Sequence, residues 1–472
     1  MPLAHRTDGR RLLALTVSAL VLGFACRTSA PDEHYYDGTH TQSGGPQSTS
    51  GGSSTQPPLP PSSGAGSSPE AGGAPSGEGS TSGEGGLAFG PSTGDAGAPN
   101  APPPSSCEAP AIADGPFSKE ALRRSAFECA RFQLCEFEGA ATSLDAAVQA
   151  HAADPSADAR DAARSAWTLA MSAWSRLELF QFGPLASRAT SAGKDGYLGE
   201  GLRDPIYGWP SVARCRVEDQ VASLSFVDKG MGGVLTSARG LYALEYLLFY
   251  AGADSSCAAT STTAQSFETF SGEELGQRKT DYALALADDI RARASALSQT
   301  YAPGAAFESA FVDASGYPSE QESLNVLGWA LVYIEREVKD YKLGVPAGYT
   351  LTHPVQEAES PYAGVGTDNL RQNLLGFRAL FQGCGPAGEG TGFDDWLIAA
   401  GHPDLASDVI AAWNDALSAV DAFPALEAAT TAEVQALYAK FKALTDLLKA
   451  ELFGDGSPLG LKLPASLEGD TD

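Results

Sequence analysis

Basic residues are few in this chain of 472: 31 Lys and Arg stand against 58 Asp and Glu, a formal net charge of −27. A surface that acidic repels phosphate backbones and anionic lipid headgroups, which excludes nucleic acid as a partner. It favours cations, metals and basic proteins. Histidine is scarce too, at six in all. Only His151, His353 and His402 fall after residue 106, and none lies in a His-Glu-x-x-His pair. No Cys-x-x-Cys pair exists, which argues against a thiolate zinc site or a thioredoxin-like motif. A Gly-x-Ser-x-Gly elbow and a phosphate-binding loop are also missing. Runs that alternate with period two are rare. Beyond the first 26 residues, no stretch is long and apolar enough to cross a bilayer.

The N-terminus reads as an export signal. Arg6, Arg10 and Arg11 precede the apolar stretch Leu12–Phe24, which is too short to span a membrane. Gly23-Phe24-Ala25-Cys26 suits an ordinary signal peptidase. It also resembles a bacterial lipobox, in which Cys26 takes the lipid and becomes the new N-terminus; Gly23 stands where that pattern usually has Leu. Residues 27–106 are Gly-, Ser- and Pro-rich, the composition of a disordered linker and not of a core. Such a tether reaches roughly 50 Å, as an anchored domain requires. The expectation is an exported cell-envelope protein, held at the outer membrane through Cys26, with a folded domain at 107–472.

Six cysteines follow Cys26: Cys107, Cys129, Cys135, Cys215, Cys257 and Cys384. An even number in an exported chain points to disulfides, and the sequence leaves their pairing open. The folded part is written in helix. Ser271, Ser319 and Thr430 each stand three residues before a Glu in a capping-box pattern. Asp154-Pro155 reads as an N-cap followed by Pro. Gly344 and Gly454 read as stops. Helices are expected near 118–137, 140–152, 156–181, 234–250, 272–298, 320–341, 367–382, 404–421 and 431–453, an all-α fold. Ala166-Trp167-x-x-Ala-Met-Ser-Ala recurs as Ala412-Trp413-x-x-Ala-Leu-Ser-Ala, and Arg239 and Arg371 each open an apolar helix. Two helical-bundle halves from an internal duplication, about 107–300 and 301–472, would explain both echoes.

Two glutamates break the amphipathic rule. Trp167, Met171, Trp174 and Glu178 share one helical face, the core face. Glu245 is the one charge in Leu241-Tyr-Ala-Leu-Glu-Tyr-Leu-Leu-Phe-Tyr250, three residues after Tyr242. A buried ionised carboxylate is costly unless paired, hydrogen-bonded or metal-bound. Arg239, Arg203 and Arg371 are the candidate ion-pair partners. Alternatively, a phenol and carboxylates supply hard oxygen donors for a cation such as ferric iron. Asp288-Asp289 and Asp394-Asp395 read more simply as solvent-face and helix-start charges.

Gly240-Leu-Tyr-Ala-Leu-Glu245 resembles the Gly-x-His-x-x-Glu signature of the imelysin family. Further blocks resemble that family in the same order. They are Glu178-Leu-Phe-Gln-Phe-Gly-Pro184, Asp204-Pro-Ile-Tyr-Gly-Trp209-Pro210, Tyr341-Lys-Leu-Gly-Val-Pro-Ala-Gly348, Glu359-Ser-Pro-Tyr362 with Asp368-Asn-Leu-Arg371, and Leu459-Gly-Leu-Lys-Leu-Pro464. The resemblance covers about residues 118–470. It implies an exported, often lipid-anchored, all-helical protein of two bundle-like halves with a centre between them. The family was named for a proposed metallopeptidase, and other relatives are iron-regulated.

Residues carried over by the resemblance are Glu245, Tyr242 and Glu178 as metal ligands and Asp204, Trp209 and Arg371 as ligand-binding residues. The signature His, however, is Tyr242 here, and Tyr cannot supply the imidazole nitrogen that zinc prefers. The expected function is therefore binding without catalysis: a cation, iron among them, or a small ligand held in a cleft between two bundles. The alternatives are a metallopeptidase-like hydrolase with a divergent site and a structural surface protein that meets a basic partner.

Overall fold

The structure, a computed structural model, describes residues 107–112, 115–186, 201–349, 358–454 and 456–464. The export signal, Cys26, the linker 27–106 and the loop of His353 lie outside them.

Among the described residues the chain forms helices and no strand; Phe453 and Leu461 make one isolated bridge. Helix α1 (Lys119–Ala153) opens where the Ser118 side chain accepts the Ala121 N–H. It is one helix where two were expected. Leu134, Phe137, Ala141, Leu144 and Val148 keep a continuous apolar face across Gly139, and that burial outweighs the glycine. Asp154 closes α1, so the cap of α2 (Ala157–Leu177) is Ser156 and not Asp154. Short helices α3 (Arg203–Tyr207), α4 (Arg214–Ser223) and α5 (Ser225–Lys229) lead to α6 (Gly240–Phe249). This last helix was expected from residue 234. It starts later because Arg239 is extended and Gly240 takes φ +85°. A Cβ on Gly240 would lie 2.8 Å from the Ile206 carbonyl oxygen. Only glycine lets α6 begin against α3.

Helices α7 (Thr262–Thr269), α8 (Gly272–Thr300), α9 (Ala306–Val312) and α10 (Glu320–Leu331) follow. Ser271 and Ser319 cap α8 and α10 as expected. The helix read to 341 instead changes winding after Leu331 into a π-helix, π1 (Ile334–Leu343). Then come α11 (Gly366–Phe381), α12 (Phe393–Ala399), α13 (Pro403–Asp421), α14 (Thr431–Leu447) and a second π-helix, π2 (Leu448–Leu452). The capping box at Thr430 and Glu433 is complete in both directions.

Helices α1, α2, α6 and α8 pack on one another; π1, α11, α13 and α14 form a second group. The two groups meet where α2 crosses α11. In the first group the Trp167 indole N–H donates to the Leu241 carbonyl at 2.9 Å; in the second, Trp413 donates to Leu374 at 2.8 Å. Three disulfides, Cys107–Cys135, Cys129–Cys384 and Cys215–Cys257, staple the domain. Asp289 is no solvent-face charge, since it pairs with Arg239 at 2.8 Å and with Arg293. Among the described residues no helix is long and apolar enough to cross a membrane.

Candidate functional site

The α2 face carries Trp167, Met171 and Trp174 into the core, and Glu178 follows them at the helix C-cap, fully buried. Its Oε1 receives the Lys342 ammonium at 2.5 Å and the Asn373 amide at 2.6 Å. Its Oε2 accepts the Tyr333 hydroxyl at 2.7 Å. Arg203 donates to that same hydroxyl at 2.9 Å and pairs with Asp204, which is about a third exposed. The network thus runs from the core toward solvent.

Lys342 holds a second carboxylate, Glu359, at 3.0 Å. Glu359 also accepts the Tyr207 hydroxyl. Burial raises the Glu359 carboxyl, and the Lys342 charge opposes the rise. Burial, with Glu359 beside it, lifts the Tyr207 phenol well above its usual range, so it donates as a neutral hydroxyl. The π winding helps to set these directions: Lys339 of π1 reaches Tyr438 of α14 at 2.8 Å, while Lys342 reaches Glu178.

Glu359 lies on the loop 358–364, and Glu245 binds that loop from α6. Glu245 Oε1 accepts the N–H groups of Tyr362 and Ala363 at 2.9 and 2.8 Å. Burial pushes the Glu245 carboxyl up to about 8 against those two bonds, and the nearby charges of Glu359 and Glu427 push the same way. Among the described residues, Glu245 Oε2, Glu359 Oε2 and Trp209 Nε1 are buried without a hydrogen-bond partner.

Lys342 therefore joins Glu178 to Glu359, and Glu245 binds the backbone of the loop that carries Glu359. Tyr242 is buried on α6, one turn before Glu245. Trp209 packs on Tyr207 and Tyr341, with the Lys342 ammonium 6.0 Å from its ring. Asp204 joins through Arg203. Arg371 does not join; it is partly exposed and pairs with Asp421 at 2.8 Å. None of the three expected arginines pairs with either glutamate. Arg239 holds Asp289, and Arg203 reaches Glu178 only through Tyr333. The counter-ion is a lysine. Lys342, Glu359 and Tyr207 were not singled out as site residues, yet each sits in a block that carries the family resemblance.

The donor set does not fit a zinc hydrolase. Among the described residues no group of three or more His, Cys, Asp or Glu is arranged to enclose a metal ion. Two buried carboxylate oxygens, Glu245 Oε2 and Glu359 Oε2, lack a partner among the described residues, so a cation bound by them would bring the rest of its shell, as water or as its own donors. A surface groove of about 570 Å³ lies elsewhere, along α1 beside Cys129 and Cys384.

These features define an all-helical, disulfide-bonded domain with a buried acid centre between two groups of helices. The imelysin family model matches residues 136–450, and the chain belongs to that family. Two solved structures share the fold. One is an imelysin-like protein from Psychrobacter arcticum 273-4, at 17% identity and TM-score 0.52, covering 75% of this chain and 99% of its own. The other, described as an iron-regulated protein A precursor, is from Parabacteroides distasonis ATCC 8503. It has 16% identity and TM-score 0.52, and covers 72% of this chain and 96% of its own. No curated protein matches the chain.

Proposed function

We propose that this imelysin-family domain is a binding protein that takes a cation between Glu245 and Glu359. The observation that carries the reading is the pair of buried carboxylate oxygens, one from each residue, with no partner among the described residues. A carboxylate removed from water without a partner is costly, and a cation between the two relieves both. Lys342 balances only part of the charge, because it is shared with Glu178. Oxygen-only donors suit a hard ion such as iron better than zinc. Tyr242 in place of the signature His favours binding over hydrolysis. The iron-regulated description of one structural relative agrees with iron as the first ion to try. Calorimetry on the full chain with ferrous, ferric and zinc ions tests the proposal. Stoichiometric binding of an iron ion is expected, falling at least tenfold in Glu245→Gln. Equal binding by that variant, or none by the wild type, would overturn it.

We also propose that the chain is exported and anchored by a lipid on Cys26, a reading supported by the sequence of the first 26 residues and the tether after them. Mass spectrometry of the mature protein should find a diacylated Cys26 as its N-terminal residue, and Cys26→Ser should release the protein from membranes. An unmodified N-terminus would sink the anchor.

A further inference from the structure

Glu245 and Glu359 are 0% exposed, so a cation reaches them only if part of the protein moves. Most of the side chains around them stand on helices: Glu245 on α6, Glu178 on α2, Tyr207 on α3, Lys342 on π1 and Asn373 on α11. Glu359 stands on the loop 358–364. Packed helices shift as whole elements, whereas a short loop can open locally at much lower cost.

That loop is thin where it meets Glu245. The N–H groups of Tyr362 and Ala363 donate to Glu245 Oε1 at 2.9 and 2.8 Å, and both residues are themselves partly exposed. On this side one layer of backbone stands between the Glu245 carboxylate and solvent. The loop runs from Glu359 and Ser360, both buried, out to Gly364, which is exposed. Ser360 at φ +57° and Gly364 at φ +68° are left-handed, and the Gly364 N–H closes the turn on the Ser360 carbonyl at 2.9 Å. Residues 360–364 thus form a closed turn that can lift as one piece.

The Tyr362 ring seats this turn on α6. Its centre lies 5.7 Å from the Tyr246 ring and 5.4 Å from the Tyr250 ring, edge-on to both. Tyr246 and Tyr250 stack on each other at 5.3 Å. Tyr246 follows Glu245 directly, and Tyr250 caps the same helix. One helix therefore holds the turn twice, by the Glu245 carboxylate underneath and by two tyrosine rings at its edge. Such edge-to-face pairs add to the gain from plain burial.

We infer that the loop 358–364 is a strap over the cation site, latched by the Tyr362 ring, and that it lifts for an ion to enter or leave. The inference rests on cation binding by Glu245 and Glu359, as proposed above. A cation between Glu245 on α6 and Glu359 on the loop ties one to the other, so binding fastens the strap. The Tyr362 ring touches α6 and not the ion. Its contacts are therefore the same with the site filled or empty, and the latch slows entry and exit alike while leaving affinity nearly unchanged.

The test follows ferrous ion onto and off the full chain under anaerobic conditions, by stopped flow for uptake and by transfer to excess chelator for release. Tyr362→Ala removes both ring pairs and should speed uptake and release by about tenfold each, with the equilibrium constant moving less than about threefold. Tyr362→Phe keeps the ring and should keep the wild-type rates. Hydrogen exchange gives a second readout: iron should slow the Tyr362 and Ala363 amides of the wild type by about tenfold, while those of α2 and α11 stay unchanged. Wild-type rates in a Tyr362→Ala protein that binds iron would overturn the strap and leave the cation site standing. So would affinity lost through faster release alone, the mark of a damaged site. No iron binding by the wild type would overturn the proposed function, and the strap would fall with it.

Discussion

Lys342→Met should destabilise the domain by about 3–5 kcal/mol, because it leaves two buried carboxylates without their common counter-ion. Glu178 and Glu359 are 0% exposed and both bind the Lys342 ammonium. Met fills similar volume, so the loss reports charge and not a cavity. Glu178 would retain the Tyr333 hydroxyl and the Asn373 amide, and Glu359 the Tyr207 hydroxyl. Those neutral donors solvate a carboxylate but do not balance its charge. Adding Glu359→Gln to Lys342→Met removes one of the stranded charges and should recover part of the loss. Urea unfolding of the single and double variants measures both steps. A loss below about 1 kcal/mol for Lys342→Met, the size seen for exposed pairs, would show that this network is not dry.

The second large effect is the part of the dependence of stability on pH that Glu245 contributes. In the folded chain Glu245 titrates at about 8, against an ordinary value of 4.5. Between those values the folded protein holds a proton that the unfolded chain has released. The unfolded state therefore binds fewer protons, and stability falls as pH rises through that window. Below about 4.5 the contribution is fully present; by about 8 it is lost. The whole span is worth roughly 5 kcal/mol at 1.4 kcal/mol per pH unit. Glu245→Gln has no such proton to lose. It should match the wild type near pH 4.5 and exceed it in stability at pH 8.5. Urea midpoints across that range check the prediction; parallel pH curves for the two proteins would contradict it. The measurement is made without added metal, because a bound cation would favour the ionised carboxylate.

Much of this was legible in the sequence because helices announce themselves locally. Ser271, Ser319 and Thr430 each mark a start, and the caps form where the pattern placed them. Trp167, Met171, Trp174 and Glu178 read as one buried face, and they are one. Glu245 stood out as a charge with bulky apolar neighbours and is buried. What stayed hidden depends on contacts between distant segments. Lys342 meets Glu178 across 164 positions of sequence. Nothing near Glu178 indicates that its counter-ion is a lysine and not one of the arginines that open helices. The π winding of Ile334–Leu343, which helps to aim that lysine, has no local signal in a segment patterned like an ordinary amphipathic helix. Arg371 was misplaced for a related reason: its family block was matched, but its side chain leaves the centre for Asp421.

The central claim is that Glu245 and Glu359 hold a cation between the oxygens that have no partner among the described residues. Crystals of the protein grown with ferrous iron under anaerobic conditions, with data collected at the iron absorption edge, test it most directly. The account predicts one anomalous peak within coordination distance of both Glu245 Oε2 and Glu359 Oε2, absent from crystals of Glu245→Gln. An anomalous peak elsewhere in the molecule, or a wild-type centre with no peak, would contradict it.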